Sequence, residues 1–333
     1  MNKLLSFHKE HPYFAYSLDV LVLVFVVHMC WLALSRNTSD GLPPAETPAD
    51  TGALRVSLLP IAECLPFYYA QATGIYDSLG LKLEIADRRA QFDADTALYG
   101  SSAHIAATDL VRLQYQTSRS QTATVLMGLQ GTWGLCVSPV QRAANVKALK
   151  DRLLGSSRYS ASDYYSQQVL ASAELEYDDM LRTQANDFAV RANMLVLAQT
   201  EGAILPEPWL TWTMENKGRR LWSAKSDDAS LGCLAANSTV LSSKRRSAQV
   251  ALLVAGYNIA VEQLNKRGLS DCDTLIAKHL KIPSEILSKA QRPRYHRASL
   301  PTAKAIEQSR SFLSRRGIVV PNTLAMDDRF LKN

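Results

Sequence analysis

Glu207 stands between two prolines in the run Pro206-Glu-Pro-Trp209. A carboxylate held in so rigid a turn can bind a cation or an amino group, and its plainer role is a surface turn carboxylate. Upstream, Ser156-Ser157-Arg158-Tyr159-Ser160 leads into a stretch with helical spacing. Free backbone N–H groups at that helix start suit an anion, and Arg158 can pair with the same charge. Ser160 and Ser162 serve equally well as ordinary helix caps. Trp133 and Trp209 can stack on a planar ligand or pack a core or hinge. Glu63 with Cys64, and Thr108 with Asp109, follow or close short apolar runs, where loops of an α/β sheet carry ligand contacts. The two chemistries differ: Glu207 favours an amino-bearing ring such as a pyrimidine, whereas Arg158 favours a sulfonate or carboxylate.

Catalytic signatures are absent. There is no G-x-G-x-x-G after a strand, no G-x-x-x-x-G-K-[ST], no H-E-x-x-H, no C-x-x-C and no G-x-S-x-G. The six histidines show no ligand spacing. No catalytic residue, metal or cofactor is therefore expected.

These candidate residues need a scaffold. Leu54 to Pro60, Leu81 to Ala86, His104 to Thr108, Ala123 to Leu129 and Trp133 to Ser138 read as strands. Between them Leu65 to Thr73 (closed by Gly74), Phe92 to Tyr99 and Asp109 to Thr117 have helical spacing. This βαβαβ rhythm predicts a parallel sheet covered by helices. A second cycle follows from Val146. It has a strand ending near Leu154, helices over Asp163 to Ala173 and Phe188 to Leu197, and a strand over Gly202 to Pro206. Pro206 to Trp209 is expected to be extended and Leu210 to Asn216 helical. Arg220 to Ala224 and Gly232 to Ala236 are expected to return across the molecule. Helices then cover Ser247 to Arg267, Asp271 to Leu280, Ser284 to Ala290 and Thr302 to Arg315. The expected architecture is α/β and two-lobed, with lobe 1 over 54–135 plus 225–333 and lobe 2 over 136–224.

The chain has 333 residues, 47% of them hydrophobic and 20% charged, which excludes a disordered tail, a disulfide miniprotein and a collagen-like rod. Val20 to Leu34 is almost wholly apolar and spans about 22 Å as a helix, against a hydrocarbon core of roughly 30 Å. Residues 1–35 are expected to be a signal peptide cut after Ala33-Leu34-Ser35, an uncleaved anchor, or a lipidation site at Cys30. Residues 36–53, with Pro43, Pro44 and Pro48, read as a tether. The folded part is then expected in the periplasm, or anchored facing it. The five cysteines follow no metal or redox pattern. Four of them could form two disulfides, with small buried hydrophobes as the plainer reading.

The net charge of +6 comes from the last quarter, where residues 242–333 carry 17 basic and 7 acidic groups. Lys244-Arg-Arg246 and Arg292-Pro-Arg-Tyr-His-Arg297 can attract phosphates or anionic lipid, but a solvated helical face is the preferred reading and no nucleic acid is expected.

Leu54 to Ile85 resembles the opening of the nitrate, sulfonate, taurine and thiamine-pyrimidine-precursor branch of periplasmic solute-binding proteins. The likeness rests on Tyr68-Tyr69-Ala70, Gly74-Ile75-Tyr76 and Gly80-Leu81-Lys82-Leu83. Glu201 to Trp209 looks like that family's D-A-x-x-x-x-E-P segment, and Gly155 to Leu170 is placed like its Gly/Ser loop. Glu201 stands where the family usually has Asp, and Ala103-His104 replaces a small-Asp pair. The resemblance implies a type II periplasmic-binding fold that closes on a small solute and delivers it to an ABC permease. A monomer tied to the membrane through its N-terminal segment is expected. Two alternatives are an enzyme on the same fold, like those of the menaquinone pathway, and a sensing domain without a transport role.

Overall fold

The computed structural model describes residues 52–224, 230–269 and 272–331. Segment 1–35 and the tether up to residue 51 lie outside the described residues, as does Cys30. Among the described residues no helix is long and apolar enough to cross a membrane.

The chain runs β1 (Leu54–Leu58), a 3-10 turn (Ala62–Cys64), α1 (Leu65–Ala72), α2 (Ile75–Ser78), β2 (Leu83–Asp87), α3 (Gln91–Tyr99), β3 (Ile105–Asp109), α4 (Leu110–Thr117) and β4 (Ala123–Gly128). It then crosses to β5 (Trp133–Val137), β6 (Leu153–Ser156), α5 (Ala161–Ala171), β7 (Leu181–Gln184), α6 (Phe188–Val196), β8 (Gly202–Pro206), α7 (Trp209–Glu215) and β9 (Arg219–Ser223). It returns through β10 (Gly232–Asn237) to α8 (Lys244–Arg267), α9 (Asp273–Leu280), α10 (Ser284–Lys289) and α11 (Ala303–Ser314). The break between α1 and α2 falls at Gly74, whose φ of 72° is costly for a side-chain-bearing residue.

Two five-stranded sheets result, ordered β2-β1-β3-β10-β4 and β7-β6-β8-β5-β9. In the first, β1 pairs in parallel with β2 and β3, and β10 is antiparallel to β3 and β4. In the second, β6 pairs in parallel with β7 and β8, and β5 is antiparallel to β8 and β9. Both sheets are therefore mixed, which corrects the expectation of a parallel sheet. The antiparallel member in each is the first strand after a crossing. A chain that leaves one lobe at the cleft must enter the other from the cleft side, so that strand runs outward, against the strands whose ends point inward.

The strands at the middle of each sheet, β3, β5, β8 and β10, are buried along their whole length, as continuous apolar or small-residue runs require. β7 was not anticipated: Leu-Arg-Thr-Gln is a half-exposed edge strand without an apolar pattern. The crossing at Leu129–Thr132 ends before Trp133, so β5 lies wholly in the second sheet.

Helix α8 begins at Lys244, three residues before the expected Ser247. The hydroxyl of Ser243 accepts from the Arg246 N–H and caps it. Arg246 is not part of a solvated face: it is buried and donates to the Ala53 carbonyl (2.6 Å), fastening the start of β1. The extended reading of Pro206 to Trp209 is also corrected. Extension stops at Pro206, Pro208 has ψ of 4°, and Trp209 opens α7, because the Glu207 carboxylate accepts the Thr211 N–H (3.1 Å) and caps that turn. Cys64, Cys136 and Cys233 are free and buried, and Cys272 is buried, as the small-hydrophobe reading expected.

Candidate functional site

The loops after β1, β3, β6 and β8 meet between the lobes. Each follows the inward-pointing end of a parallel-type strand, the position where open α/β sheets bind ligands. The Ala62 N–H donates to the Glu207 carbonyl (2.7 Å), and the Trp209 indole donates to the Pro60 carbonyl (2.8 Å), so the β1 and β8 loops are tied.

Glu63 projects from the 3-10 turn into this interface and is 3% exposed. Its Oε1 accepts from the Trp133 indole N–H at 2.7 Å. Two glycines make room for it. A Cβ added at Gly131 would lie 2.2 Å from Glu63 Oε1, and one at Gly232 would lie 2.5 Å from Oε2. Burial pushes the Glu63 carboxyl up to about 7; the Trp133 bond opposes this, and nearby Asp109 adds to it. Trp133 in turn stacks on Tyr165, with ring centroids 5.5 Å apart.

Asp109 caps α4, its Oδ1 accepting from the Arg112 N–H (2.9 Å). Gln91 donates to its Oδ2. The Ala161 backbone N–H at the start of α5, in the other lobe, lies near enough to pull the carboxyl's pKa down. Burial raises Asp109 to about 6 against the pull of these backbone N–H groups. The helix start that the sequence offers to an anionic ligand thus lies beside the protein's own carboxylate.

Around α5 the serines satisfy one another. The Ser160 hydroxyl donates to the Ser157 carbonyl (2.6 Å) and accepts from the Ser162 N–H (3.2 Å). The Ser157 hydroxyl donates to Asn186 Oδ1 (2.8 Å), and the Ser156 carbonyl, ending β6, accepts from the Ala185 N–H. Tyr159 adopts φ of 53° and stacks on Tyr115 of the other lobe at 4.4 Å. Arg158 is exposed, with its guanidinium over the Tyr159 ring at 4.9 Å.

Three further candidates turn elsewhere. Thr108 donates to Asp95 Oδ1 (2.9 Å) beneath the interface, and the buried Cys64 belongs to the hydrophobic core. Glu207 is buried, its carboxylate held by the Thr211 N–H and the Thr211 hydroxyl (3.0 Å). Burial raises its pKa. Sequence reasoning missed the Gly131 and Gly232 cradle, Tyr115 and Tyr165; none stands in a motif, and the two glycines are distant in the chain. At the outer edge Arg89 pairs with Asp187 (2.7 Å) across the lobes, another contact with no local signal.

Among the described residues, no group of three or more His, Cys, Asp and Glu side chains is placed to hold a metal ion. A cavity of about 750 Å³ opens beside the interface. Its walls are the 128–132 crossing, the end of β9, Tyr165 and the 291–302 segment that passes back over the crossings.

No protein-family model matches the sequence, and no curated protein matches it. Solved structures do. The zinc-bound ligand-binding component of an ABC-type import system from Staphylococcus aureus aligns at 14% identity and TM-score 0.72. The match covers 84% of this chain and 98% of that one. This chain has the type II periplasmic-binding fold. The alkanesulfonate-binding protein SsuA from Xanthomonas axonopodis, bound to MOPS, aligns at 14% identity, with 81% and 96% coverage and a TM-score of 0.67. The desulfurization enzyme DSZB shares the fold as well, at 14% identity, 84% and 98% coverage and a TM-score of 0.58. The fold of ABC import ligand-binding proteins therefore also carries an enzyme.

Proposed function

We propose that this chain is an extracytoplasmic solute-binding protein that captures a small organic or anionic solute between its lobes and delivers it to an ABC permease. The N-terminal apolar segment would export it or tether it facing the periplasm. The observation that carries the reading is the polar seam between the lobes, where Glu63 accepts the Trp133 N–H and the buried Asp109 lies beside the Ala161 N–H at the start of α5. A solute oxyanion would take the Ala161 N–H and the Ser160 hydroxyl in place of Asp109. Trp133, Tyr159 and Ser157 would border it, Glu63 would face its polar edge, and Arg158 would close over it. Binding would close the lobes by hinge motion about the crossings.

Native mass spectrometry of gently purified protein tests this. One small molecule per chain is expected, removable by mild denaturation and restored on re-addition. Protein that carries no solute and takes up none from a panel of sulfonates, carboxylates and pyrimidines would contradict it.

One observation favours a second reading. A buried glutamate whose pKa lies near 7 suits general acid–base work, and DSZB places an enzyme on this fold. Turnover of the bound molecule, abolished by Glu63→Gln, would decide for an enzyme.

A further inference from the structure

The 750 Å³ cavity lies in the size range of small-molecule sites. It is not the Asp109–Ser160 face. Its walls come from the crossings and from the 291–302 segment, and its chemistry is one-sided. Arg220, Arg292, Arg294 and His296 line it, and no described lining residue is a carboxylate. Among the described residues neither Arg292 nor Arg294 has an ion-pair partner, while Arg220 donates to Gln291 (3.2 Å).

The wall that carries these charges is rigidly fastened. Tyr295, between Arg294 and His296, is buried, and its hydroxyl donates to the Ala62 carbonyl (2.7 Å). Its backbone exchanges hydrogen bonds with the Asn265 side chain at 2.7 and 3.2 Å. Farther along, the Ala298 N–H donates to Asn258 (2.7 Å), and the Ser299 carbonyl accepts from the Gly128 N–H (2.8 Å). The segment is held at several points, so its cationic side chains spring from a fixed backbone. Leu129, Tyr165, Pro293, Leu300 and Pro301 supply apolar wall.

We propose that this cavity is a second binding site, for a small organic anion with a carboxylate, sulfonate or phosphate head on an apolar body. The guanidinium groups of Arg220, Arg292 and Arg294 meet the head with planar paired donors, and the prolines and Tyr165 cover the body. Arg220 and Tyr165 belong to one lobe and Arg292 and Arg294 to the segment packed on the crossings, so an occupant bridges the moving parts. This site goes beyond the interlobe reading and does not depend on it.

Isothermal titration with benzenesulfonate tests the proposal on the full chain, with benzamide as the neutral control. Saturable one-to-one binding is expected for benzenesulfonate, weakening with salt, and none for benzamide. The double variant R292E/R294E should bind it roughly tenfold or more weakly. Both arginines are exposed, so the variant should melt like the parent; R292Q/R294Q repeats the test without charge reversal. Failure of the parent to saturate, or a smaller loss in the arginine variants, overturns the site. Loss with Ser160→Ala alone would put the anion on the interlobe face, overturning this proposal and leaving solute capture standing. A parent that binds benzenesulfonate here but never carries an interlobe solute would do the reverse.

Discussion

Glu63 holds a carboxyl group where water is excluded, with one indole N–H as its named donor and Asp109 as a like charge nearby. Its pKa rises from 4.5 to about 7 on folding. The group is neutral in both states below the lower value. Between the two the unfolded chain ionises first, so stability is lost as pH rises through that window, by roughly 3 kcal/mol in all. Glu63→Gln removes this titration. Denaturant melts between pH 5 and pH 8 should show the variant losing markedly less stability than the parent, and parallel curves would refute the assignment. Trp133→Phe keeps an aromatic ring against Tyr165 but deletes the donor that holds the pKa down. The midpoint of the parent's pH-dependent loss should then move above 7, read from the same melts.

At the scale of elements, the alternation of strands and helices was legible because the middle strands are short, wholly buried runs and the helices stop at residues such as Gly74. The direction of β5 and β10 was not legible, since it depends on which side of a sheet the chain enters after a crossing. Asp109 could be singled out from its place after a strand, but the Ala161 N–H that pulls its pKa down lies in the other lobe. Glu63 and Trp133 are 70 residues apart, beyond the reach of any local pattern. Beside the exposed Lys244 and Arg245, Arg246 has the sequence pattern of a solvated charge; its burial against Ala53 is a tertiary fact. Arg246→Ala should lower unfolding free energy by about 1–3 kcal/mol, as expected when buried carbonyls lose a charged donor. A change near zero in urea melts would remove it as the fastener of β1. Gly256, within α8, faces Tyr76, whose Cε1 would lie 2.4 Å from an added Cβ. Overpacking of about 1–3 kcal/mol should outweigh the ~1 kcal/mol that alanine gains inside a helix. Gly256→Ala is therefore expected to melt earlier than the parent, and a later melt would show that the α2–α8 contact yields.

For the whole molecule, two mixed sheets joined by paired crossings and a polar seam make the two-lobed periplasmic-binding fold, and the proposed capture requires it to exist open and closed. In the seam Asp109 and Glu63 are buried away from water, and the Trp133 N–H is the donor to Glu63. A solute anion supplying the same contacts would favour the closed state by its own differential affinity. Small-angle scattering of the protein before and after stripping of its co-purified solute reads this directly. The solute-loaded protein should be more compact, and stripping followed by re-addition should expand and then restore it. Identical scattering curves, with mass spectrometry showing the solute bound one-to-one, would contradict capture by closure of the lobes.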